Sequence, residues 1–560
     1  MRNPLALIMS ALLTCFAVVP NTGEAASKPA PRPNIIVILA DDLAYSDISP
    51  YGGEIDTPNL AALAAGGTTF TNFRTSPMCS PSRAMLLTGV QQHRTGLGTM
   101  AEFLADSQRG QPGYEGFLNN RVATIAERLK PAGYTTIMAG KWHLGEQSRP
   151  SDRGFDHSFT LIDGAGSHFS DAGYAAFKPK VTYLRNGETA ELPKDFYSSD
   201  FYTSEIIDSI QQARASGKPF FAYLSFTAPH WPLHAPRDLI LKYDSTYAAG
   251  WDTLRENRFK RLQRLGIISN DAVMAPSHAK VPRFASLPVE QQRYQARLMA
   301  VYAAMVDRLD WNIGRLVSYL DATGIKDNTI IVFLSDNGAE AIDFTTDPIF
   351  PPATDWIASN FDNSFDNLGA PSSYAFYGRP WAQAGAAGHR LYKTFVAEGG
   401  IRSPLIVSWP SGGLKRGRQT STFATLVEIV PTLLEAAKVD GSLTRIGDRE
   451  IEPVSGRSML PFLKGRARTV YGRSEGQGFE LFGNKAYISG EWKILHLTKP
   501  EGEGRWQLFN LVRDPAEAND VSAQNPKIFR RMITAYEAFA KANGVRDLPT
   551  DFNMFDNASH

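Results

Sequence analysis

The sequence predicts an α/β protein with a large doubly wound sheet flanked by helices, and a small antiparallel sheet with one helix near its end. Continuous apolar runs such as residues 34–40, followed by polar residues, are typical of strands buried on both faces. These runs alternate with segments of helical periodicity, as expected for a doubly wound α/β unit. From about Arg473 the pattern changes to short strand-like runs followed by one helix.

Apolar runs predict the strands of the large sheet at residues 34–40, 134–139, 220–225, 328–335 and 405–408. Helical patterns lie between them at residues 59–65, 122–130, 204–215, about 290–322 and 426–438. The segment 344–381 has nine aromatic residues and little periodicity. Long irregular segments in compact enzymes are often functional, so this one is predicted to cover a binding pocket. The alternative is a packed surface loop without a functional role.

The last part of the chain predicts a separate small unit. Strand-like runs at residues 485–488, 492–497 and 506–511 precede a helical pattern at 526–543. We therefore predict a first domain over residues 33–470 and a C-terminal subdomain over residues 471–550. The subdomain is expected to be a four-stranded antiparallel sheet with one helix.

Composition and charge exclude several classes of protein. Of the 560 residues, 43% are hydrophobic and 21% are charged, which is ordinary for a globular protein and unlike disordered, collagen-like or coiled-coil chains. Fifty-eight basic residues against 57 acidic ones give a net charge of +1. No global excess of positive charge therefore points to nucleic acid or to an anionic membrane surface.

Residues 1–26 are predicted to be a secretory signal peptide. Arg2 supplies the positive start, residues 5–19 form an apolar run, and small residues precede the cleavage point. The run is shorter than the roughly 20 residues that span a bilayer, and no later stretch predicts a transmembrane helix. We expect an exported protein, periplasmic or secreted. Lipid anchoring through Cys15 is disfavoured, because the Thr before it is atypical of a lipoprotein cleavage box.

The chain has two cysteines, Cys15 and Cys79, and removal of the signal peptide leaves Cys79 alone. Exported proteins usually pair their cysteines as disulfides, so a single one is either an inert buried thiol or a site of chemistry. Cys79 lies in a Ser/Pro turn before a predicted helix, with Arg83 four residues on. Helix amides and a guanidinium favour anions, and we expect them to lower the pKa of the thiol.

Polar pairs follow two predicted strands of the large sheet. Asp41-Asp42 comes directly after residues 34–40, and Asp336-Asn337 after residues 328–335. Ligands of open α/β sheets bind at the carboxyl ends of the strands, so we expect the two pairs to converge. Two carboxylates about 4 Å apart repel by about 4 kcal/mol at an effective dielectric constant of about 20, which favours a bound cation. Oxygen ligands favour Ca²⁺ or Mg²⁺ over zinc. Taken singly, each pair is more often a helix cap or a turn.

Five segments resemble the signatures of one enzyme family. Cys79-Ser80-Pro81-Ser82-Arg83 resembles the C-x-P-x-R signature of type I sulfatases, in which an enzyme oxidises the cysteine to Cα-formylglycine (3-oxoalanine). The other segments lie at residues 133–143, 227–236, 391–404 and 511–517. The similarity runs from about residue 33 to 545, and looks closest to bacterial arylsulfatases of the alkaline phosphatase-like superfamily.

The resemblance implies a large mixed sheet of the alkaline phosphatase-like type and the hydrolysis of aryl sulfate esters to a phenol and inorganic sulfate. It implies one Ca²⁺ per chain, held by Asp41, Asp42, Asp336 and Asn337, with modified Cys79 as a further ligand. The hydrated aldehyde has two hydroxyls: one attacks sulfur, and deprotonation of the other then expels sulfate. The implied partners are a small-molecule sulfate ester and the formylglycine-generating enzyme.

The resemblance also implies roles for the basic residues. Arg83 would stabilise the formylglycine, while Lys141, Lys393 and His230 would bind the substrate. His143 would act as the base of the second step, and His230, with Lys393, would protonate the leaving oxygen. Which histidine is acid and which is base stays open. The alternatives are that Lys141 is a solvated lysine at a strand end and that His230 is a packed turn residue.

Two other functions fit the same residues. One is a hydrolase of phosphonate or phosphate esters from the same superfamily, and the other is an inactive relative that binds sulfated ligands. The residues leave open whether a sulfate ester substrate is an aryl, alkyl or sugar ester. Of the other histidines, His93 and His234 are expected to be structural or to support the site from outside, and His389 to lie at the surface.

Overall fold

The computed structural model of the protein describes residues 32–346, 350–549, 552 and 554. The predicted signal peptide, residues 1–26 with Cys15, lies outside these ranges. In the part of the chain that the structure describes, every helix is too short or too polar to cross a membrane.

The described residues form strands and α-helices joined by loops and short 3-10 turns. The strands are β1 (Asn34–Ala40), β2 (Thr68–Phe70), β3 (Phe73–Arg74), β4 (Thr135–Lys141), β5 (His157–Leu161), β6 (Ala172–Ala175), β7 (Lys178–Lys180), β8 (Tyr183–Arg185), β9 (Glu188–Thr189), β10 (Phe220–Ser225), β11 (Thr329–Ser335), β12 (Leu405–Ser408), β13 (Arg418–Thr420), β14 (Ala424–Thr425), β15 (Arg445–Ile446), β16 (Arg449–Glu450), β17 (Gly476–Leu481), β18 (Asn484–Ser489), β19 (Trp492–His496) and β20 (Trp506–Asn510). The helices are α1 (Pro58–Gly66), α2 (Cys79–Thr88), α3 (Gln92–Thr95), α4 (Ile125–Leu129), α5 (Ser198–Ala215), α6 (Arg237–Lys242), α7 (Gly250–Arg264), α8 (Val289–Ala322), α9 (Pro351–Asn360), α10 (Gly378–Gly385), α11 (Glu398–Ile401), α12 (Ile429–Ala436), α13 (Leu460–Leu463) and α14 (Pro526–Asn543).

Ten strands form one mixed sheet in the order β13-β2-β12-β11-β1-β10-β4-β5-β8-β9. Its centre is parallel, since β1 pairs with β10 and β11, and β4 pairs with β10 and β5. β12 runs antiparallel to both β11 and β2. The strands predicted from the apolar runs are β1, β4, β10, β11 and β12, so the prediction of a large doubly wound mixed sheet flanked by helices is confirmed.

The central strands are apolar throughout because each face of the sheet is covered by helices. Ile36 and Ile38 of β1 belong to one buried cluster with residues of α1, α5 and α8. Ile35 and Val37 belong to a second cluster with residues of α2, α4 and α12. Full burial of such a side chain contributes about 1.5–3 kcal/mol, so both layers hold the strands in register.

Two predicted segments differ from the structure. The pattern at 122–130 contains only the short α4, because Thr124 and Glu127 form a capping box at its start and a 3-10 turn with Pro131 follows its end. The segment 344–381 is less irregular than predicted, since it contains α9 and the beginning of α10. α9 starts with two prolines, which the first turn tolerates because its N–H groups have no partner within the helix.

The small antiparallel sheet near the end of the chain has the order β17-β18-β19-β20, and α14 packs on it through Met532 and Tyr536. This confirms the predicted antiparallel sheet with one helix. A buried ion cluster joins this sheet to helix α11: Lys493 Nζ of β19 lies 3.0 Å from Glu398 Oε1 and 2.6 Å from Glu517 Oε1. Arg74 of β3 also pairs with Glu398, so the cluster fixes α11.

Candidate active site

The register of the central strands brings the predicted polar residues to one edge of the sheet. Ala40 of β1 pairs with Ser335 of β11, and Ser225 of β10 pairs with Gly140 of β4. The residues that follow these positions therefore leave the sheet side by side. They are Asp41 and Asp42, Asp336 and Asn337, and Lys141, and all are buried.

Cys79 begins α2 and points at this edge. Its Sγ lies 3.5 Å from Asp41 Oδ1 and 3.8 Å from Asp42 Oδ1, and the residue is 1% exposed. Asp42 has a left-handed backbone with φ of +65°, which is uncommon for a residue other than glycine and typical of functional sites. Cys79 therefore lies directly beside the Asp41-Asp42 pair.

The expected lowering of the thiol pKa is wrong. Burial raises the pKa of the Cys79 thiol well above its usual value, although Lys141 and Lys393 oppose the shift. The carboxylates of Asp41 and Asp336 add to the increase by repelling a thiolate. An unmodified Cys79 is therefore a neutral thiol, because desolvation outweighs the nearby cations.

Arg83 lies one turn further along α2 and neutralises the carboxylates. Its Nε and Nη2 donate to Asp336 Oδ2 at 3.1 and 2.8 Å, and Nη2 lies 3.2 Å from Asp41 Oδ1. Nη1 donates to the carbonyl oxygen of Lys141 at 3.1 Å and to Ser225 Oγ at 2.6 Å. The guanidinium is fully buried and is held on three sides, so its position is rigid.

Two lysines complete the charge cluster. Lys141 Nζ donates to Asp41 Oδ2 at 2.6 Å. Lys393 Nζ lies 2.8 Å from Asp42 Oδ1 and 2.8 Å from Glu340 Oε2. Both ammonium groups are buried, so the alternative of a solvated Lys141 at a strand end is wrong.

The carboxylates of the cluster outnumber its cations. Asp41, Asp42, Asp336 and Glu340 face Arg83, Lys141 and Lys393. Burial raises the pKa of Asp42 to about 8; Lys393 opposes this shift, whereas the neighbouring carboxylates add to it. The site therefore has one carboxyl group more than its cations can keep ionised at pH 7, and a bound divalent cation would allow Asp42 to ionise as well.

The residues predicted to hold a metal fit a hard cation. Oxygen atoms of Asp41 and Asp42, Cys79 Sγ and a ring nitrogen of His230 all lie within 4.8 Å of one another. Asn337 Nδ2 donates to Asp42 Oδ1 at 2.6 Å, while Asn337 Oδ1 is buried without a hydrogen-bond partner. A buried acceptor without a donor is uncommon, and a cation would satisfy it.

Asp336 is engaged differently from the other predicted ligands. Its Oδ2 accepts from Arg83, and its Oδ1 lies 3.2 Å from the backbone nitrogen of Asp42. The carboxylate of Asp336 therefore lies next to the two other aspartates and also forms an ion pair with Arg83.

His143 lies two residues beyond β4 with a left-handed φ of +54°. Its Nε2 is 3.2 Å from Glu102 Oε1, and its Nδ1 is buried without a partner. Burial lowers the pKa of His143 below 6.5, and the charges of Lys141 and Arg83 lower it further, while Glu102 opposes them. The imidazole is therefore neutral at pH 7, with one nitrogen engaged by a carboxylate and the other unpaired. Gly164 lies directly against the ring.

His230 lies on the other side of the carboxylates. Its Nε2 is 3.4 Å from Asp42 Oδ2, and its Nδ1 is 2.7 Å from the carbonyl oxygen of Trp231. His168 Nε2 lies 3.0 Å from the carbonyl oxygen of His230, which fixes this turn from below. Burial lowers the pKa of His230 well below its usual value, and Lys141 adds to the shift.

The three other histidines considered in the sequence, His93, His234 and His389, are all buried. His93 Nε2 is 2.8 Å from Glu480 Oε2, and His234 Nε2 is 2.7 Å from the carbonyl oxygen of Ser373, as expected for supporting residues. The prediction that His389 lies at the surface is wrong, because the residue is buried. Arg402 and the ring of Tyr45 enclose its imidazole.

A cavity of about 260 Å³ opens above the cluster. Its polar lining comprises Cys79, Glu102, His143, Asp163, Lys178, His230, Glu340 and Lys393. Its apolar lining includes Met78, Met100, Phe103, Tyr174, Trp231, Phe177, Ile342 and Phe350. The cavity has room for an organic group in addition to a small anion.

Three functional candidates have no motif that identifies them in the sequence. Glu102 is in a short 3-10 helix (Ala101–Phe103), 41 positions before its partner His143. Glu340 follows the Asp336-Asn337 pair by a few residues, and this proximity was the one available signal for it. His168 reaches the site only through the fold, since its partner lies 62 positions away.

Comparisons with known proteins agree with this geometry. The family model described as Sulfatase matches residues 33–439. An arylsulfatase of Klebsiella aerogenes is 41% identical over 445 residues, covering 78% of this chain and 93% of that protein. An uncharacterized sulfatase of Schizosaccharomyces pombe is 39% identical over 548 residues, covering 94% and 98%.

Solved structures share the fold at lower identity. Ps i-CgsB in complex with k-i-k-neocarrahexaose aligns with a TM-score of 0.64 and 24% identity, over 91% of this chain and 93% of that one. A phosphonate monoester hydrolase of Agrobacterium radiobacter aligns with a TM-score of 0.55 and 19% identity, over 91% and 96%. At these identities the likeness shows the alkaline phosphatase-like fold alone.

Proposed function

The chain belongs to the sulfatase family of sulfate ester hydrolases, and from this we propose that it is an arylsulfatase that releases a phenol and inorganic sulfate. The observation that carries the proposal is the convergence of Cys79, Arg83, Lys141 and Lys393 beneath the cavity. Sulfate transfer spreads negative charge over the transferred group, so prepositioned cations are the main contribution that the protein can make.

Two groups are proposed to complete the site. Asp41, Asp42, Asp336 and Asn337 would hold one Ca²⁺, with the modified residue 79 as a further ligand. When bound, the ion supplies a Lewis acid that eases deprotonation of a coordinated hydroxyl. Cα-formylglycine made from Cys79 supplies, in its hydrated form, two hydroxyls on one carbon.

The side chains around Cys79 then have separate tasks. Lys141 and Lys393 are proposed to bind sulfate oxygens, and Arg83 to hold residue 79 and the carboxylates in place. His143, neutral at pH 7 and with a free Nδ1, is proposed to accept the proton of the second hydroxyl. His230 and Lys393 are proposed to act together at the leaving oxygen. Lys393 is the proton source of the two, because the surrounding carboxylates outweigh burial and raise its pKa, whereas burial lowers the pKa of His230.

Maturation and export are part of the proposal. Cys79 is 1% exposed, which supports its conversion by a formylglycine-generating enzyme before folding is complete. We also propose that residues 1–26 direct export to the periplasm or the medium.

Residues 33–470 are proposed to form the catalytic domain and residues 471–550 the C-terminal subdomain. The first strand of the small antiparallel sheet, β17, begins at Gly476, shortly after this proposed boundary.

A second candidate function is hydrolysis of phosphonate esters, which the shared fold of the Agrobacterium enzyme favours. The cations of the cluster do not by themselves distinguish a sulfate from a phosphonate monoanion. The test is the turnover of 4-nitrophenyl sulfate and 4-nitrophenyl phenylphosphonate by one preparation. We expect the sulfate to have the higher kcat/KM, and the reverse order would contradict the arylsulfatase proposal.

The same preparation tests the modification of Cys79. The mass of the tryptic peptide that contains Cys79 distinguishes the lighter aldehyde from the thiol. A fully unmodified thiol in a preparation without sulfatase activity would leave a sulfate-binding protein as the description of that preparation.

A further inference from the structure

The cavity has a floor around Cys79, His230 and Lys393 and an outer wall that differs from it in charge. The wall comprises Glu102, Asp163, Tyr174, Phe177, Lys178, Trp231 and Phe350. We propose that it accepts an uncharged aromatic leaving group and discriminates against one with a second anionic group. Monosulfate esters of neutral phenols would then be substrates, and polysulfated or carboxylated ones would not. This inference rests on the proposed sulfatase activity and specifies its substrate class.

Aromatic rings form the apolar part of this wall. Trp231, next to His230, contacts Tyr174 edge to face with ring centroids 5.7 Å apart. Phe177, at the tip of the hairpin β6–β7, contacts Phe350 edge to face at 6.1 Å. Although it lines the cavity, Phe177 is 60% exposed. A flat aromatic leaving group that extends outward from the floor of the cavity would cover this exposed ring surface.

The charges on the wall are acidic or already paired. Lys178 Nζ lies 2.7 Å from Asp163 Oδ1 and 3.9 Å from Glu146 Oε1. Burial raises the pKa of Glu102, but the interaction with His143 outweighs this and holds the pKa below its usual value, so Glu102 is negatively charged. Because His143 is neutral at pH 7, it does not supply a full positive charge to balance this carboxylate. Among the described residues that line the cavity, every lysine has a carboxylate partner.

A second anionic group on the leaving group would therefore lose its hydrating water on entering the cavity. No unpaired cation among the described residues of the wall would be available to replace that water. Its neighbours would be the carboxylate of Glu102, the ion pair of Lys178 with Asp163, and aromatic rings. Burying an unpaired charge beside like charges is strongly unfavourable, whereas a neutral ring loses little on entering. Under the proposed function the sulfate itself binds on the floor of the cavity, where Lys393 lines the surface and a bound cation would share the carboxylates that pair with this lysine.

The test compares two substrates that differ in charge but hardly in shape. They are 6-carbamoyl-2-naphthyl sulfate and 6-carboxy-2-naphthyl sulfate, assayed by release of the naphthol with the fully converted enzyme. We expect kcat/KM to be higher for the carboxamide by about tenfold or more, since like charges meet only in the carboxylate complex. Equal values, or a preference for the carboxylate, would overturn the inference. Turnover of neither substrate would overturn the proposed function and the inference with it.

Two variants test whether residues of the wall cause the preference for the uncharged substrate. Asp163→Asn releases Lys178, and we expect it to shift the ratio of the two kcat/KM values toward the carboxylate by about fivefold. Phe177→Ala should lower kcat/KM for the carboxamide by about fivefold, as expected for one lost aromatic contact. Val273→Ala is the matched control, because Val273 is 68% exposed and outside the cavity lining. An unchanged ratio in Asp163→Asn, or equal losses in Phe177→Ala and Val273→Ala, would contradict the assignment of the wall.

Discussion

Gly164 allows a test of the position of His143 without removing any reactive group. A Cβ at residue 164 would lie 2.6 Å from both Cε1 and Nε2 of the His143 ring. Non-bonded heavy atoms are normally at least about 3.5 Å apart, so Gly164→Ala requires a displacement of about 1 Å. The two residues before Gly164 are held, since His143 N donates to the carbonyl oxygen of Ile162 at 3.1 Å and Asp163 Oδ2 accepts from Thr182 N at 2.6 Å.

The imidazole is the group that can move most easily, and it would move away from its bond with Glu102. Because a misplacement of about 1 Å in a catalytic constellation costs about 10²-fold in rate, we expect kcat/KM of Gly164→Ala to fall about 100-fold. His143→Ala, which removes the proposed base altogether, should lose about 10²–10⁴-fold. The assay is 4-nitrophenyl sulfate hydrolysis, with the converted fraction of Cys79 measured by peptide mass so that maturation and catalysis are separated.

Gly66→Ala is the matched control, because the nearest atom to its added Cβ is Ser408 Oγ at 3.8 Å, an ordinary contact. It should keep the activity of the unsubstituted protein. Thermal midpoints of the two variants should be similar, since the alanine at 164 displaces a side-chain ring and not the core. If Gly164→Ala retained full activity while His143→Ala lost it, the reasoning from ring position would be refuted.

Three further outcomes are expected. Cys79→Ala should abolish turnover while changing the circular dichroism spectrum and thermal midpoint little; substantial residual activity would mean that residue 79 is not the precursor of the nucleophile. Removal of divalent cations with a chelator should abolish activity, which Ca²⁺ should restore better than Mg²⁺ because the oxygen ligands do not impose octahedral geometry; equal restoration by zinc would argue against the ligand set. Because burial lowers the pKa of His143, the acid limb of the pH profile of kcat/KM should lie below pH 6.5. Glu102→Gln should move this limb to still lower pH, since it removes the anion that stabilises the protonated imidazole beside Lys141 and Arg83. An acid limb above pH 7 would contradict the proposed base.

Local patterns predicted the elements that carry the reactive residues. The apolar runs that became β1 and β11 are buried on both faces, so their ends, and with them Asp41 and Asp336, had to meet at one sheet edge. The short motif around Cys79 contains Arg83 one helical turn away, which is a spacing that needs no tertiary information.

Other properties depend on contacts between residues distant in the sequence. The pKa of Cys79 follows from complete desolvation, which no pattern of neighbours in the chain reveals. The burial of His389 depends on Arg402 and Tyr45, and so could not be read from its own segment.

The sequence by itself predicted the central strands of the large sheet and the single cysteine downstream of the predicted signal peptide, because these depend on periodicity and composition. The resemblance of its short motifs to those of sulfatases indicated the cations around that cysteine. Only the tertiary structure decided that Glu102 holds His143, that Glu340 shares Lys393, and that Asp163 pairs with Lys178 at the cavity wall. These pairs arise where loops from different strands cross, and their energies depend on distance and desolvation, which are fixed only when the chain is folded.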